Sequence, residues 1–401
     1  GQSGGPTAVI NASLYGAVKA FRESGADGHV LGMINGIEGF LADHVMDLST
    51  DLSDKELELL KLPPAAYLGC CRYKLPADLE SEVYPAIFDN FREMNIGYFL
   101  YVGGNDSMDT VDKLSRYAEK IGSDVKFIGI PKTIDNDLVL TDHTPGFGSA
   151  AKYVASTVRE IVLDASVYQQ RSVTIVEIMG RNAGWLVGSA ALSKGEDCDG
   201  PDLIYVPELP FDIDNFLTRV RELLSKKAFV VVAVSEGIRL SDGRYVCELT
   251  DGVDFVDAFG HKQLTGTANY LARRLAQEIG CKTRTIELSS MQRAASHLAS
   301  RIDILEAFQV GGAAVKAADE GDTGEMVIIK RLSDDPYQST TDLRNVHKVS
   351  NVEKVVPREW ITEDGTYVTD EFINYVRPLI QGDVSPVMVD GIPRYLYHKK
   401  K

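Results

Sequence analysis

The sequence predicts an α/β protein with two domains, each built on a mainly parallel β-sheet. Three observations lead to this prediction. The chain has 401 residues, which is enough for two domains of ordinary size. Its composition, 44% hydrophobic and 25% charged, is typical of a globular protein. Short apolar runs alternate with amphipathic segments, as they do in parallel, doubly wound sheets flanked by helices.

Five apolar runs rich in β-branched or aromatic residues are predicted to be buried strands. They cover residues 98–102, 125–130, 173–178, 229–234 and 283–288. Helices are predicted over residues 7–21, 108–121 and 147–163, the first with Pro6 at its start, where proline is tolerated. A strand normally feeds a Gly-rich turn such as Gly1–Pro6, so we expect a further strand before Gly1 in the natural chain.

Charge and cysteine content narrow the range of functions. The net charge of −16 argues against nucleic acid as a partner, because phosphate backbones are bound by a surplus of Lys and Arg. The five cysteines are odd in number and lack paired metal-ligand spacing, which indicates reduced thiols in the cytoplasm. The sequence has neither a signal peptide nor an apolar run of the roughly 18 residues that a membrane span needs.

Each predicted strand is followed by polar residues or glycine. Ligands of open α/β sheets bind beyond the carboxyl ends of the strands, so these loops predict a site. The loops are Gly103-Gly104-Asn105-Asp106-Ser107, Pro131-Lys132-Thr133-Ile134-Asp135-Asn136-Asp137, Met179-Gly180-Arg181, Ser235-Glu236-Gly237 and Ser289-Ser290-Met291-Gln292-Arg293.

The residue types in these loops suit phosphoryl transfer. Asp135 or Asp137 can take the proton of a sugar hydroxyl, and Lys132 can neutralise developing charge. Gly4-Gly5 before the first predicted helix offers backbone N–H groups to an anion. Arg181, Arg284 and Arg293 suit a sugar phosphate, since guanidinium groups bind phosphate bidentately. Plain turns at the glycines and a solvated charged loop at 131–137 are the alternative interpretations.

At these loops the sequence resembles the phosphofructokinase family, with the motifs in order from Gly4-Gly5 to Gln292-Arg293. The resemblance implies two Rossmann-like domains with mainly parallel sheets flanked by helices, and an active site at the strand C-terminal ends between them. Residues 1–144 plus about 294–345 would bind the phosphoryl donor and Mg²⁺. Residues 145–293 plus the C-terminal segment 346–401 would bind fructose 6-phosphate.

The resemblance also assigns roles to residues. It implies Asp135 as the base, acting with Lys132, Asp106 and Arg181, and Asn105 at the position of the usual Mg²⁺ ligand. Arg284 would reach a neighbouring active site, which implies a homo-oligomer, a dimer or a tetramer. The implied donor-binding residues are Gly5, Arg72, Gly104 and Asp106. The implied sugar-binding residues are Thr133, Ile134, Asp135, Met179, Gly180, Arg181, Glu236, Arg284 and Arg293.

Two positions indicate the donor. Asp106 and Lys132 together look like the diphosphate-dependent members of the family, because a carboxylate at position 106 would repel and crowd the α-phosphate of ATP. The predicted activity is reversible transfer from pyrophosphate to the 1-hydroxyl of fructose 6-phosphate, a step of glycolysis. An ATP-dependent 6-phosphofructokinase and a non-catalytic sugar-phosphate-binding regulatory subunit are the alternatives. Asn105, which replaces an expected Asp, keeps the second alternative open.

Overall fold

The computed structural model of the chain describes residues 1–249 and 264–397. It divides into two compact units. Unit 1 comprises Gly1–Ser149, Arg293–Glu353 and Gln381–Lys401, and unit 2 comprises Ala150–Gln292 and Lys354–Ile380. The assignment of the phosphoryl donor to one domain and of the sugar phosphate to the other stays a prediction.

Strands and helices alternate along most of the described chain. The strands are β1 (Leu31–Met33), β2 (Val45–Asp47), β3 (Tyr98–Gly103), β4 (Lys126–Pro131), β5 (Ser172–Ile178), β6 (Leu203–Tyr205), β7 (Phe229–Ser235), β8 (Lys282–Glu287), β9 (Glu325–Asp334), β10 (Tyr337–Asn345), β11 (Met388–Val389) and β12 (Ile392–Pro393). The α-helices are α1 (Ile10–Ser24), α2 (Gly36–Leu41), α3 (Asp54–Leu59), α4 (Val83–Glu93), α5 (Asn105–Ile121), α6 (Phe147–Ser166), α7 (Trp185–Gly188), α8 (Ile213–Leu224), α9 (Thr267–Ile279), α10 (Met291–Ala294), α11 (Arg301–Glu320) and α12 (Asp370–Val376).

The main sheet of unit 1 has helices on both faces. Its strand order is β10-β9-β4-β3, with β3, β4 and β9 parallel and β10 antiparallel to β9. One face packs on α1 and α11 through buried residues such as Ile10, Ile128 and Val310. The other face packs on α4 and α5 through residues such as Phe88 and Phe127. This two-sided burial explains why β4 is apolar at almost every position.

The sheet of unit 2 is entirely parallel, with strand order β6-β7-β5-β8. Alternate residues of its central strands, such as Ile175 and Val232, pack with α8 and α9 in one core cluster. Ile178 stands opposite Ser235, so β5 and β7 end together. The predicted mixed α/β architecture of parallel sheets flanked by helices is thereby confirmed. Every helix in the described part of the chain is too short or too polar to cross a lipid bilayer.

The predicted strands match the observed ones closely, whereas each predicted helix differs by three residues at one or both ends: α1 starts and ends later, α5 starts earlier and α6 ends later than predicted. The five predicted strands agree with β3, β4, β5, β7 and β8 to within one residue at each end. The first helix, predicted from residue 7, begins at Ile10. Ala8 and Val9 are buried although they are not helical, so apolar periodicity did not mark the boundary. Gly4-Gly5 is therefore separated from the helix, and the prediction that its amides form the helix N-terminus is wrong.

Helices α1 and α11 approach each other closely because glycines stand where they touch. A Cβ atom on Gly16 would collide with the carbonyl oxygen of Phe308, and one on Gly311 would collide with that of Ser13. The packing ties the segment after the Gly4-Gly5 turn to the helix that follows Arg293. Both segments belong to unit 1.

This contact predicts opposite effects for two adjacent substitutions. We expect Gly311→Ala to destabilise the protein by about 1–3 kcal/mol, because overpacking forces the helix backbones apart. Gly312→Ala is the matched control, since its Cβ would lie 3.7 Å from the Cβ of Ala20 and 3.8 Å from the Gly16 oxygen. The control should be neutral or stabilising by up to about 1 kcal/mol. Urea unfolding measures both, and equal effects would contradict the packing argument.

Candidate active site

The C-terminal ends of β3 and β4 lie side by side in unit 1. Gly103 stands opposite Pro131 in the parallel register, and the N–H of Lys132 donates to the Gly103 carbonyl at 2.9 Å. The start of the chain joins them, since the N–H of Ser3 donates to the Val102 carbonyl at 2.9 Å. The register therefore brings together the Gly4-Gly5 turn, residues 103–107 (the Gly103 loop) and residues 132–138 (the Asp135 loop).

Lys132 is a buried cation at this edge of the sheet. Its side chain is 3% exposed, and its Nζ donates to the carbonyl oxygen of Gly5 at 2.6 Å. Burial lowers the pKa of Lys132 to about 8, although Cys70, Asp135 and Asp137 each act to raise it. An ammonium group held this far from water is a strong local attractor for phosphate.

The Gly103 loop leads directly into α5. Gly104 is the N-cap, and Asn105 and Asp106 lie in the first turn of the helix. Gly103 has no space for a side chain, because a Cβ there would collide with the Ser107 side chain. The loop therefore needs its glycine, and the start of α5 is a position where an anion is favoured.

The Asp135 loop is held by its own side chains. The Thr133 hydroxyl accepts the N–H of Asp135 at 3.1 Å, and Ile134 is buried. Asn136 is fully buried with φ 54°, and its side-chain oxygen accepts the N–H of Thr144 at 3.1 Å. Asn is one of the few residues that adopt this left-handed conformation readily. Asn136 thus shapes the loop that carries Asp135.

Two of the predicted arginines belong to the same region of unit 1. A Cβ on Gly5 would lie 3.4 Å from Nη1 of Arg293, so that guanidinium lies beside the Gly5 backbone. Arg293 also acts to lower the pKa of Lys132. Arg72 is exposed and follows Cys71, whose carbonyl accepts the N–H of Gly4 at 3.5 Å. Lys132 and Arg293 therefore both place positive charge beside the Gly5 backbone.

A buried ionic network lies in the segment that follows the Asp135 loop and leads to α6. The ring nitrogens of His143 contact Asp142 Oδ1 at 2.7 Å and Glu306 Oε2 at 2.6 Å. Burial alone would lower the pKa of His143, but Glu306 and Asp142 raise it to about 9. Next to it, the buried carboxylate of Asp303 accepts the N–H groups of Gly146 at 2.9 Å and Ser149 at 2.8 Å.

The predicted sugar-binding loops of unit 2 also come together at strand ends. The N–H of Met179 donates to Gln292 Oε1 at 3.2 Å, and the N–H of Gly180 donates to Glu236 Oε1 at 3.4 Å. Gly237 is needed because a Cβ there would collide with the carbonyl oxygen of Arg181. Met179, Gly180, Arg181 and Glu236 therefore form one cluster within unit 2.

Arg284 lies apart from that cluster. It stands opposite Thr174 in the register of β8 with β5, four residues before the end of β5 at Ile178. Its Nη1 contacts Asp164 Oδ2 at 3.2 Å, and its guanidinium lies 5.3 Å from the centre of the Tyr168 ring. At about 3.3 Å per residue, Arg284 is roughly 13 Å along the strand from the Met179 loop.

Several residues that shape these loops were missed by sequence reasoning. Besides His143, Asp303 and Glu306, they include Glu208, whose Oε1 accepts the N–H of Gly184 at 2.7 Å and of Val356 at 2.9 Å. Arg239 donates to Asn182 Oδ1 at 2.7 Å. No local signal marks such residues, because each acts on a segment distant in the sequence.

The carboxylates of unit 1 suit Mg²⁺, which substrate phosphates help to bind, better than they suit a metal whose ligands all come from the protein. Mg²⁺ prefers oxygen ligands and is usually held by one or two carboxylates together with substrate phosphates. Asp106, Asp135 and Asp137 supply such oxygens. In the described part of the chain, His, Cys, Asp and Glu nowhere form a group of three that could hold a metal. The amide of Asn105, the predicted ligand, contacts the backbone of Asn351 and Val352.

Comparison with known proteins agrees with these features. A sequence model of the family described as phosphofructokinase matches residues 1–318. A Halomonas elongata protein described as pyrophosphate–fructose 6-phosphate 1-phosphotransferase is 42% identical over 398 residues, 98% of this chain and 94% of its own length. A Xanthomonas campestris protein of the same description is 40% identical, with 98% and 94% covered. The crystal structure of a pyrophosphate-dependent phosphofructokinase from Nitrosospira multiformis matches with TM-score 0.89 and 36% identity, over 98% of this chain and 94% of that one.

The His143 network predicts a pH-dependent stability. The pKa of His143 is about 9 in the folded protein and about 6.5 when unfolded, so its contribution is complete below pH 6.5 and is lost as the pH rises through 9. We expect the unfolding free energy to fall by up to about 3 kcal/mol over this range. His143→Gln should flatten the dependence, whereas the exposed His347→Gln should not. Urea titrations from pH 6 to 10 measure it, and parallel curves for wild type and His143→Gln would contradict it.

Proposed function

The chain belongs to the phosphofructokinase family, and we propose that it transfers a phosphoryl group reversibly from pyrophosphate to the 1-hydroxyl of fructose 6-phosphate. The observation that carries this proposal is the similarity, over nearly the whole chain, to proteins described as pyrophosphate–fructose 6-phosphate 1-phosphotransferases. The proposed enzyme acts in glycolysis. Its five free cysteines suit the reducing cytoplasm, which is the proposed location.

Unit 1 supplies the proposed donor site. Lys132 attracts the negative charge of pyrophosphate, and the backbone at Gly5 and Gly104 is the proposed contact for its phosphate oxygens. Arg293, which the resemblance assigns to the sugar phosphate, lies beside the same Gly5 backbone. Arg72 follows the segment that contacts Gly4 and is the proposed further phosphate ligand. Asp106, in the first turn of α5, is the proposed barrier to the α-phosphate of ATP. Its negative charge would repel the α-phosphate of ATP and its side chain would crowd it, so only the shorter donor would fit.

Mg²⁺ is the proposed cofactor, and Asp106 is the residue of the Gly103 loop that would hold it. When bound, the ion neutralises charge on the donor phosphates. The protein then needs only to orient the reactants and remove one proton.

Asp135 is the proposed base. Asp135 lies close enough to Lys132 to act on the pKa of the lysine, and a carboxylate within hydrogen-bond reach can accept a hydroxyl proton. As the 1-hydroxyl oxygen attacks a phosphorus of pyrophosphate, Asp135 Oδ accepts the hydroxyl proton, and the bridging P–O bond breaks to release inorganic phosphate. Thr133 and Ile134 position the loop, and Lys132 stabilises the charge that develops on the transferred group.

Unit 2 supplies the proposed sugar site. Glu236 holds the Gly180 backbone and accepts hydrogen bonds from sugar hydroxyls, while Met179 and Arg181 contact the sugar phosphate. Arg284 lies too far along its strand to join the same cluster. Its proposed role is therefore in the active site of a neighbouring copy, within a homo-oligomer.

A coupled assay for fructose 1,6-bisphosphate tests the donor. Fructose 6-phosphate and Mg²⁺ are supplied with pyrophosphate in one reaction and with ATP in another. We expect turnover with pyrophosphate. Turnover with ATP alone would overturn the donor assignment, and silence with both, combined with tight sugar-phosphate binding, would favour the regulatory subunit.

Asp135→Ser tests the base. Removal of a general base slows turnover by about 10²–10⁴-fold, so we expect a loss of kcat in this range. Binding of fructose 6-phosphate, measured by calorimetry, should change little. Asp124→Ser removes an exposed carboxylate just before β4 and serves as the control. A kcat within a few-fold of wild type would exclude Asp135 as the base.

The pKa of Lys132 predicts a pH dependence of donor use. The Lys132 side chain is a charged ammonium below about pH 8 and loses its proton above it. We therefore expect kcat/KM for pyrophosphate to fall about tenfold per pH unit beyond about pH 8. Lys132→Arg keeps the charge at every accessible pH and should move this fall upward. Lys126→Arg, at the first residue of the strand that leads to Lys132, should leave the profile unchanged. Identical profiles for wild type and Lys132→Arg would rule out titration of Lys132.

A further inference from the structure

We propose that Asn105 is a positioning residue that fastens residues 350–353 (the strap) to the active-site loops of unit 1, and that it does not ligate the metal. The strap connects the Gly103 loop to the Asp135 loop. The inference rests on the proposed function for its catalytic consequence, but its structural part is independent of it. The strap lies outside residues 1–318, to which the family match is confined.

Asn105 forms a hydrogen bond to the strap through each end of its side-chain amide. Its Nδ2 donates to the carbonyl oxygen of Val352 at 2.7 Å, and its Oδ1 accepts the N–H of Asn351 at 2.6 Å. These two partners also determine the orientation of the amide, because a flipped side chain would place donor against donor and acceptor against acceptor.

A third hydrogen bond holds the same segment to α5. Asn351 Nδ2 donates to Asp109 Oδ1 at 3.0 Å. Asn351 has φ 61°, a left-handed conformation that turns the chain so that its N–H and the next carbonyl both point to Asn105. The first turns of α5 therefore hold the strap at three points.

The other end of the strap contacts the Asp135 loop. Glu353 forms an antiparallel bridge with Leu138, the last residue of that loop. The Gly103 loop and the Asp135 loop are thus connected twice. One connection is the β3–β4 register at their beginnings, and the other is the strap, which joins Asn105 to Leu138.

This arrangement explains why an amide stands at position 105. The side chain must accept one N–H and donate to one C=O, as a peptide group does, and Asn is the shortest residue that does both. An Asp carboxylate has no donor and would bring its oxygen against the Val352 carbonyl. The amide at position 105 therefore makes a structural contact that a carboxylate could make only in part.

For catalysis, the strap matters because it fixes the distance between two carboxylates. Asp106 follows Asn105 directly, and Asp135 lies three residues before Leu138. A misplacement of about 1 Å between reacting groups lowers rates by about 10²-fold. The strap therefore maintains the distance between the donor-contacting carboxylate and the base.

Hydrogen exchange of the full-length protein tests the strap without requiring activity. We expect Asn105→Asp and Asn105→Ala to speed exchange of the amides of residues 350–353 by about tenfold or more, because the Asn351 N–H loses its acceptor or the strap loses its donor. Asn95→Asp is the charge-matched control, since Asn95 is exposed and lies outside the strap and the active-site loops. Unchanged exchange in both Asn105 variants would overturn the proposal.

Kinetics separates positioning from metal binding. With pyrophosphate as donor, both Asn105 variants should lower kcat by about 10- to 100-fold, while the Mg²⁺ concentration for half-maximal rate stays within about twofold of wild type. A rise in Mg²⁺ requirement for Asn105→Ala that Asn105→Asp reverses would identify a metal ligand and overturn the proposal. If wild type uses neither donor, the function fails, but the exchange experiment still decides the strap.

Discussion

The parallel pairing of β3 with β4 is the constraint on which the rest of unit 1 depends. With Gly103 opposite Pro131, both strands end at the same level, and their following loops begin within hydrogen-bonding distance. A slip of one residue would turn every side chain of a strand to the other face of the sheet. The register is therefore protected by burial on both faces, and the position of Lys132 beside Gly5 follows from it.

Unit 1 also contains two buried cationic side chains. Lys132 and His143 are both removed from water, but their pKa values move in opposite directions. For Lys132 the loss of hydration dominates, since its hydrogen-bond partner is a neutral carbonyl. For His143 two carboxylates in direct contact overcome the same loss. A cation left poorly compensated remains available to an incoming anion, whereas a fully paired one serves the structure.

Local patterns predicted much of the fold and the residue types of the loops after the strands, whereas the catalytic and binding roles of those residues stay predictions. Runs of β-branched and aromatic residues marked β3, β4, β5, β7 and β8 to within a residue, because strands buried on both faces have few polar positions. The start of α1 was misplaced, since Ala8 and Val9 are buried in a non-helical turn. The partners of Asn105 and the network around His143 gave no signal, because they join segments far apart in the chain.

By itself, the sequence determined the alternation of strands and helices and the chemical types in the loops that follow the strands. These properties are local, since they depend on neighbours within one or two turns of a helix or a few residues of a strand. The tertiary structure alone decided that Lys132 lies against Gly5, that Arg284 stands away from the Met179 cluster, and that Asn105 holds residues 351 and 352. Such outcomes depend on strand register and long-range packing, which bring together groups that are remote along the chain.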